Sequence, residues 1–252
     1  MEEQELLRRA EDLARRASRK GQITNTGFLT PAERAQLETH LHPEFGLGMR
    51  FFGGYEDSER TVAFFVPEEL LPEDGGLPEK AKTQICAVHY HAYFGEPGHR
   101  DYLGALMASG LARDRLGDIL IQGPETTVFC LPGIRQHLLM LERIGRVSVK
   151  AEDLPPEKLQ IPPRERRAKS VSVMSMRVDA IAAGMFNLSR SACVRLIAEG
   201  GLSLNYAACM KTDTPVREGD ILSLRGYGKG RVVALGGTSR KGRQFVELEI
   251  WQ

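Results

Sequence analysis

The chain has 252 residues, 42% of them hydrophobic and 27% charged, with four cysteines and a formal net charge of +1. That length holds two or three domains with a sizeable core. The scattered Cys86, Cys130, Cys193 and Cys209 exclude a CxxC metal cluster and suit reduced, buried thiols; with no signal peptide and no run of 18 apolar residues, a cytoplasmic location without a membrane span is expected. The small net charge conceals a split, with 18 Lys+Arg against 24 Asp+Glu up to Pro156 and 16 against 9 from Glu157 onward. A polyanion partner is therefore expected for the C-terminal part.

In chain order, Leu6, Leu7, Ala10, Leu13, Ala14 and Ala17 recur at helical spacing. Arg8, Arg9, Arg15, Arg16, Arg19 and Lys20 give this helix a basic side. Such a helix can touch RNA or a membrane surface, or Glu2, Glu3, Glu5, Glu11 and Asp12 can make it a surface helix laced by i,i+4 pairs. Thr30 and Pro31 read as the cap and first residue of a second helix running to about His40. Residues 47–52 and 61–66 read as a strand pair joined through Gly53-Gly54, and the stretch from Pro67 to Glu79 reads as a boundary.

Between Thr83 and Lys150 the pattern predicts strands at 85–94, 118–122, 126–131 and 146–150, and helices at 99–109 and 133–141. That βαββαβ order is the split arrangement of ferredoxin-like folds, to which RNA-recognition domains also belong. Those domains stack bases on strand aromatics, and the candidates here are Tyr90, His91, Tyr93 and Phe129. His89 and His91 share a strand face, where they are either structural or a partial metal set lacking a third ligand at a defined spacing. The proline-rich, basic stretch from Leu154 to Ser170 reads as an interdomain linker. Its Arg164, Arg166, Arg167 and Lys169 add RNA affinity in that reading.

From Arg177 to Arg231 two short helices and several small strands follow. Val178, Ile181, Ala182, Met185 and Phe186 make the apolar face of the first helix, and Ser189 caps the second, whose buried stripe is Ala192, Cys193, Leu196 and Ile197. Arg177, Arg190, Arg195, Lys211, Arg225, Lys229 and Arg231 all fall off the apolar positions, and Ser189, Ser191 and Asn205 add polar groups. Cations, hydroxyls and a helix N-terminus gathered in so short a stretch suit the phosphate backbone of RNA. They are expected to converge on one surface. A hairpin predicted at 231–235 and 244–250 extends it through Arg240, Lys241 and Arg243 in its loop.

These residues carry a resemblance. Arg177-Val178-Asp179, Ser189-Arg190-Ser191, Leu196-Ile197, Gly201 through Asn205, Lys211, Val216, Gly219-Asp220 and Arg225-Gly226 resemble the S4 domain, a small RNA-binding module. The stretch HRDYLGALMASGLARDRLGDIL, from His99 to Leu120, together with that module, is similar to the YlmH family of S4-domain proteins. The resemblance implies a ribosome-associated RNA-binding protein of the large subunit, linked to rescue of stalled nascent-chain complexes that still hold peptidyl-tRNA. It also implies links to cell division in some members and to photosystem II in photosynthetic ones. In the His99–Leu120 stretch, Arg100, Arg113 and Arg115 either contact phosphate or pair with Asp101, Asp114 and Asp118.

The expected architecture is α+β in parts: an N-terminal helical and β region at 1–78, a ferredoxin-like middle domain at 79–155, a linker at 156–172 and an S4 domain at 173–252. No GxxxxGK[ST], GxSxG or synthetase-type nucleotide signature occurs. The expected protein is thus a monomeric, non-catalytic binder of rRNA, tRNA or both, in ribosome quality control during translation, with no cofactor and no metal. The alternatives are a pseudouridine-synthase-like enzyme using Asp101, within His99-Arg100-Asp101-Tyr102, and a division-linked adaptor.

Overall fold

A computed structural model describes residues 2–42, 46–161, 166–239 and 241–251 of an α+β chain that divides into two compact units, 1–162 and 163–252. Arg164 and Arg240 lie outside the described residues.

In the first unit, α1 (Glu2–Lys20) buries Ala10, Ala14 and Ala17 against a three-stranded sheet of β1 (Thr24–Leu29), β2 (Leu47–Phe52) and β3 (Thr61–Pro67), in the order β1-β3-β2. The sequence gives no alternating signal for β1, and its pairing with β3 creates it. Between β1 and β2, α2 (Pro31–His40) starts on the predicted cap: Glu33 N donates to Thr30 Oγ1 at 3.3 Å, and Thr30 N donates to the Glu33 carboxylate at 2.6 Å. Every residue of β3 is buried, because its two faces serve two cores. Ala63 and Phe65 pack with α1, while Val62, Phe64 and Val66 pack with Phe28, Ile85 and Phe129. Residues on both sides of the expected 78/79 division therefore share one core.

After α3 (Glu79–Lys82) come β4 (Cys86–Ala92), α4 (His99–Ala108), β5 (Leu116–Gln122), β6 (Glu125–Cys130), α5 (Pro132–Leu139), β7 (Arg143–Ile144) and β8 (Val147–Leu154). The sheet order is β5-β6-β4-β8-β7, antiparallel throughout. Alternation along β4 turns Val88, Tyr90 and Ala92 into a core with Tyr102 and Leu106 of α4 and Leu138 of α5. Tyr90 donates its hydroxyl to the Leu138 carbonyl at 2.8 Å. The two layers of this unit meet closely at Gly117, where an added Cβ would lie 2.6 Å from the Phe28 ring.

In the second unit, β9 (Arg166–Val173) precedes α6 (Val178–Phe186) and α7 (Arg190–Ala198). Then follow β10 (Leu202–Leu204), β11 (Ala207–Ala208), β12 (Ile221–Leu224), β13 (Gly228–Thr238) and β14 (Gln244–Trp251), in a sheet ordered β11-β10-β12-β13-β14-β9. Ile181, Met185, Cys193 and Ile197 from the helices meet Leu222, Leu224, Val232, Val246 and Leu248 from the sheet. The expected linker at 156–172 needs correction here. From Arg166 on, it is a strand paired residue by residue with β14, from Arg166↔Trp251 to Val173↔Gln244. All four cysteines are free. Burial pushes the Cys130 thiol up to about 12 and the Cys193 thiol up to about 11.

Candidate nucleic-acid interface

The junction of α6 and α7 gathers polar groups that are far apart in the chain. Arg177 precedes α6, and its Nε and Nη2 donate to the two oxygens of Asp179 at 3.2 and 3.3 Å. Arg190, the first residue of α7, donates its Nε to Asp179 Oδ2 at 3.1 Å. Asp179 is only 3% exposed at its side chain, while Arg177 and Arg190 are 39% and 55% exposed. The buried carboxylate thus holds two guanidiniums whose other N–H groups face outward. Burial alone would raise the Asp179 carboxyl, but hydrogen bonds from Arg190 and Arg177 outweigh it and hold the group below the usual carboxylate range. Thr212 and Thr214 carbonyls accept the Asp179 and Val178 amides, which brings the Lys211 loop to the same corner. Ser189 caps α7, accepting from Ala192 N at 3.2 Å, and its hydroxyl lies 3.1 Å from that of Ser191. Two half-exposed guanidiniums, an exposed lysine, two hydroxyls and a helix N-terminus can together hold a phosphate chain.

Not all ten predicted residues join this corner. Arg195 is exposed on α7 and lies 3.9 Å from Glu199. Arg225 sits in the turn after β12, its amide bonded to Gly201 at the exit of α7, the end opposite Arg190. On β13, Gly230 faces Met185 of α6 and Val232 enters the core. Strand alternation therefore puts Lys229 and Arg231 on the far face of the sheet. There Lys229 Nζ lies 5.4 Å from the Tyr206 ring centroid and 5.8 Å from that of Trp251, while Arg231 stands opposite Glu249. Asn205, expected to face RNA, instead closes a turn: it donates to Asp220 at 2.8 Å and accepts from Ile221 N at 2.9 Å. The expected single surface is thus two surfaces.

The same alternation divides the basic run of β9. Lys169 points to the helices, where its ammonium donates to the carbonyls of Gly184 and Met185 and to the Asn187 side chain. It satisfies the end of α6 rather than facing solvent, and burial followed by repulsion from Arg167 lowers its pKa. Arg167 shares that face and is exposed, whereas Arg166 lies on the other, 3.6 Å from Glu249. Arg243 is held by Ser172, with its Nε 3.1 Å from the hydroxyl, and Lys241 is exposed.

In the first unit, the His99–Leu120 stretch is mainly structural. Asp101 accepts from Gly98 N at 2.8 Å, closing the start of α4, and Arg100 beside it is exposed. Asp118 accepts from the Tyr55 hydroxyl at 2.7 Å and from the Glu59 and Arg60 amides at 2.7 and 3.0 Å. Arg113 donates to the Leu116 and Gly117 carbonyls; burial, and then repulsion from Arg60, lowers its pKa to about 10. Tyr90 and Phe129, two of the predicted stacking residues, are 0% and 1% exposed and belong to cores. His89 Nε2 and His91 Nδ1 lie 2.7 and 2.6 Å from the two oxygens of Glu125. No group of three His, Cys, Asp or Glu among the described residues is arranged to hold a metal ion.

Sequence reasoning missed Asp179 as the centre of the corner. Its only local signal was an acidic residue in the first turn of a helix, two positions after Arg177.

Residues 78–158 match the family described as "Putative RNA-binding domain in YlmH". The chain is 30% identical over 225 residues to the ribosome-associated protein quality control protein P2 of Bacillus subtilis (strain 168), covering 89% of this chain and 86% of that one. Its fold is similar to that of the cell division protein ylmH from Streptococcus pneumoniae, with a TM-score of 0.51 at 20% identity, over 64% of this chain and 96% of the other. No helix among the described residues is long and apolar enough to cross a membrane.

Proposed function

Because the chain belongs to the YlmH family, we propose that it is a non-catalytic, cytoplasmic RNA-binding protein that acts on ribosomes in the quality control of stalled nascent chains. Its ligand is rRNA of the large subunit, tRNA or both. In this reading 79–155 is a ferredoxin-like domain, supported by the strand order β5-β6-β4-β8, and 173–252 is an S4 module to which β9 adds an edge strand. The observation that carries the reading is the α6–α7 corner, where Asp179 aims Arg177 and Arg190 beside Ser189, Ser191 and the Lys211 loop. Phosphate contacts of this kind position a protein on structured RNA without reading bases. The name of the Bacillus subtilis relative supports the setting.

Co-sedimentation of the full chain with ribosomal subunits tests the proposal. Wild type travels with the large subunit, and Lys211→Glu, folded by circular dichroism, shifts toward the top of the gradient. The Lys211 side chain is exposed, so the change leaves the core intact. Equal sedimentation of the two proteins would reject the surface.

A further inference from the structure

The C-terminal end of β4 exposes aromatic rings that the first unit leaves uncovered. Phe94 is 84% exposed, more than any other large apolar side chain among the described residues, and Tyr93 is 54% exposed. The backbone at Tyr93 is held, since Tyr93 N donates to the Ser148 carbonyl at 3.2 Å, and Phe94 follows in the bend after β4. His91, two residues earlier on the same face, stands edge-on to Tyr93 with ring centroids 5.8 Å apart at 88°. Its own ring is oriented by the 2.6 Å contact with Glu125.

An exposed apolar cluster of aliphatic side chains would suit another protein. This one is built of π faces instead. The flanking positions are polar: Ser148 beside Tyr93, Lys150 opposite His91 and paired with Glu152 at 3.2 Å, and exposed Arg143 and Arg146 at the β7–β8 turn. Rings beside cations suit unpaired nucleobases, whose faces stack while their phosphates meet the basic groups. Duplex RNA keeps its base faces inside and offers nothing for such rings.

We propose that Tyr93 and Phe94, with His91 edge-on beside them, form a stacking platform for unpaired RNA bases, separate from the phosphate-binding corner of α6 and α7. The inference rests on the RNA-binding reading above and names the ligand chemistry of a second surface. It replaces Tyr90 and Phe129, which are buried, with residues that solvent reaches.

The test uses the full chain with a fluorescein-labelled, unstructured 12-nucleotide oligoribonucleotide and an RNA duplex of equal length. Tyr93→Ala/Phe94→Ala weakens single-strand binding about tenfold or more and leaves duplex binding unchanged. Phe94→Trp retains affinity, and its added fluorescence is quenched by the single strand. Phe94→Leu keeps an apolar side chain without a π face and loses affinity like alanine. Wild-type single-strand affinity in the double variant, or full affinity in Phe94→Leu, overturns the platform while duplex binding keeps the wider reading intact. Failure of wild type to bind either RNA removes both.

Discussion

The Nε of Arg190 lies 3.1 Å from Oδ2 of Asp179, a carboxylate 3% exposed in the first turn of the preceding helix. This pair, with Arg177 on the same carboxylate, joins the start of α7 to the start of α6. Asp179→Asn keeps the shape but removes the charge that two guanidiniums share. It should cost about 2 kcal/mol of stability, in the range for hydrogen bonds to charged groups, and urea unfolding measures it. RNA affinity should fall as well, because Arg177 and Arg190 lose their common anchor. Stability equal to wild type would show that the pair does not hold the corner.

The same group sets an acid limit. Its folded pKa is depressed below the ordinary value of about 4, so its contribution is fully present above that pH and is lost as pH falls through the lower folded value. The stability gap between wild type and Asp179→Asn should therefore be constant from neutral pH down to about pH 4 and narrow below it. A gap that narrows between pH 7 and pH 5 would assign the linkage to another group.

The two faces of the second unit should behave differently in salt. Lys211→Glu acts at the α6–α7 corner and should weaken RNA binding and flatten the dependence of affinity on salt by about one unit of slope. Arg231→Glu, on the far face of β13 opposite Glu249, should leave both unchanged. Fluorescence anisotropy between 50 and 200 mM salt, roughly the range over which phosphate contacts show, decides between them. Equal losses would mean that RNA wraps both faces.

Lys169→Met separates a structural lysine from an RNA contact. Its ammonium satisfies carbonyls at the end of α6, so the variant should lose about 1 kcal/mol of stability and no RNA affinity once folded. Thermal unfolding and the same anisotropy assay read the two effects apart. A loss of affinity without a loss of stability would return Lys169 to the binding surface.

Two glycines give opposite expectations in the first unit. A Cβ on Gly117 would meet Phe28 at 2.6 Å and Phe129 at 2.9 Å, so Gly117→Ala should destabilise by about 1–3 kcal/mol. Gly104 lies within α4 with nothing inside 4 Å of its Cβ, so Gly104→Ala should stabilise by about 0.5–1 kcal/mol. Denaturant midpoints check both signs.

Local pattern made much of the fold legible. Alternation announced β4, and the Thr30-Pro31 pair announced α2, because those signals lie within a few residues. The strand β9 escaped because RRAKSVSV reads as a basic tail to a proline-rich stretch; its partner residues on β14 lie 71 to 85 positions further along, from Val173↔Gln244 to Arg166↔Trp251. The candidate surface was legible as a composition of cations but not as a shape. Lys229, Gly230, Arg231 and Val232 already alternate in the sequence, and applying the two-residue period there would have assigned the two cations to the far face. Asp179 had no comparable signal, since only the meeting of two helices gives it two partners.

The pairing order of the second unit also dictates when it can exist. β14 lies between β13 and β9, and it is the last of the three to be synthesised. Until it emerges, β9 has no strand partner and β13 keeps one open edge, so a chain arrested shortly before residue 244 carries two unpaired strand edges. Completion of this sheet waits for β14, and a product truncated before it would present the open edge of β13 to proteases and aggregation.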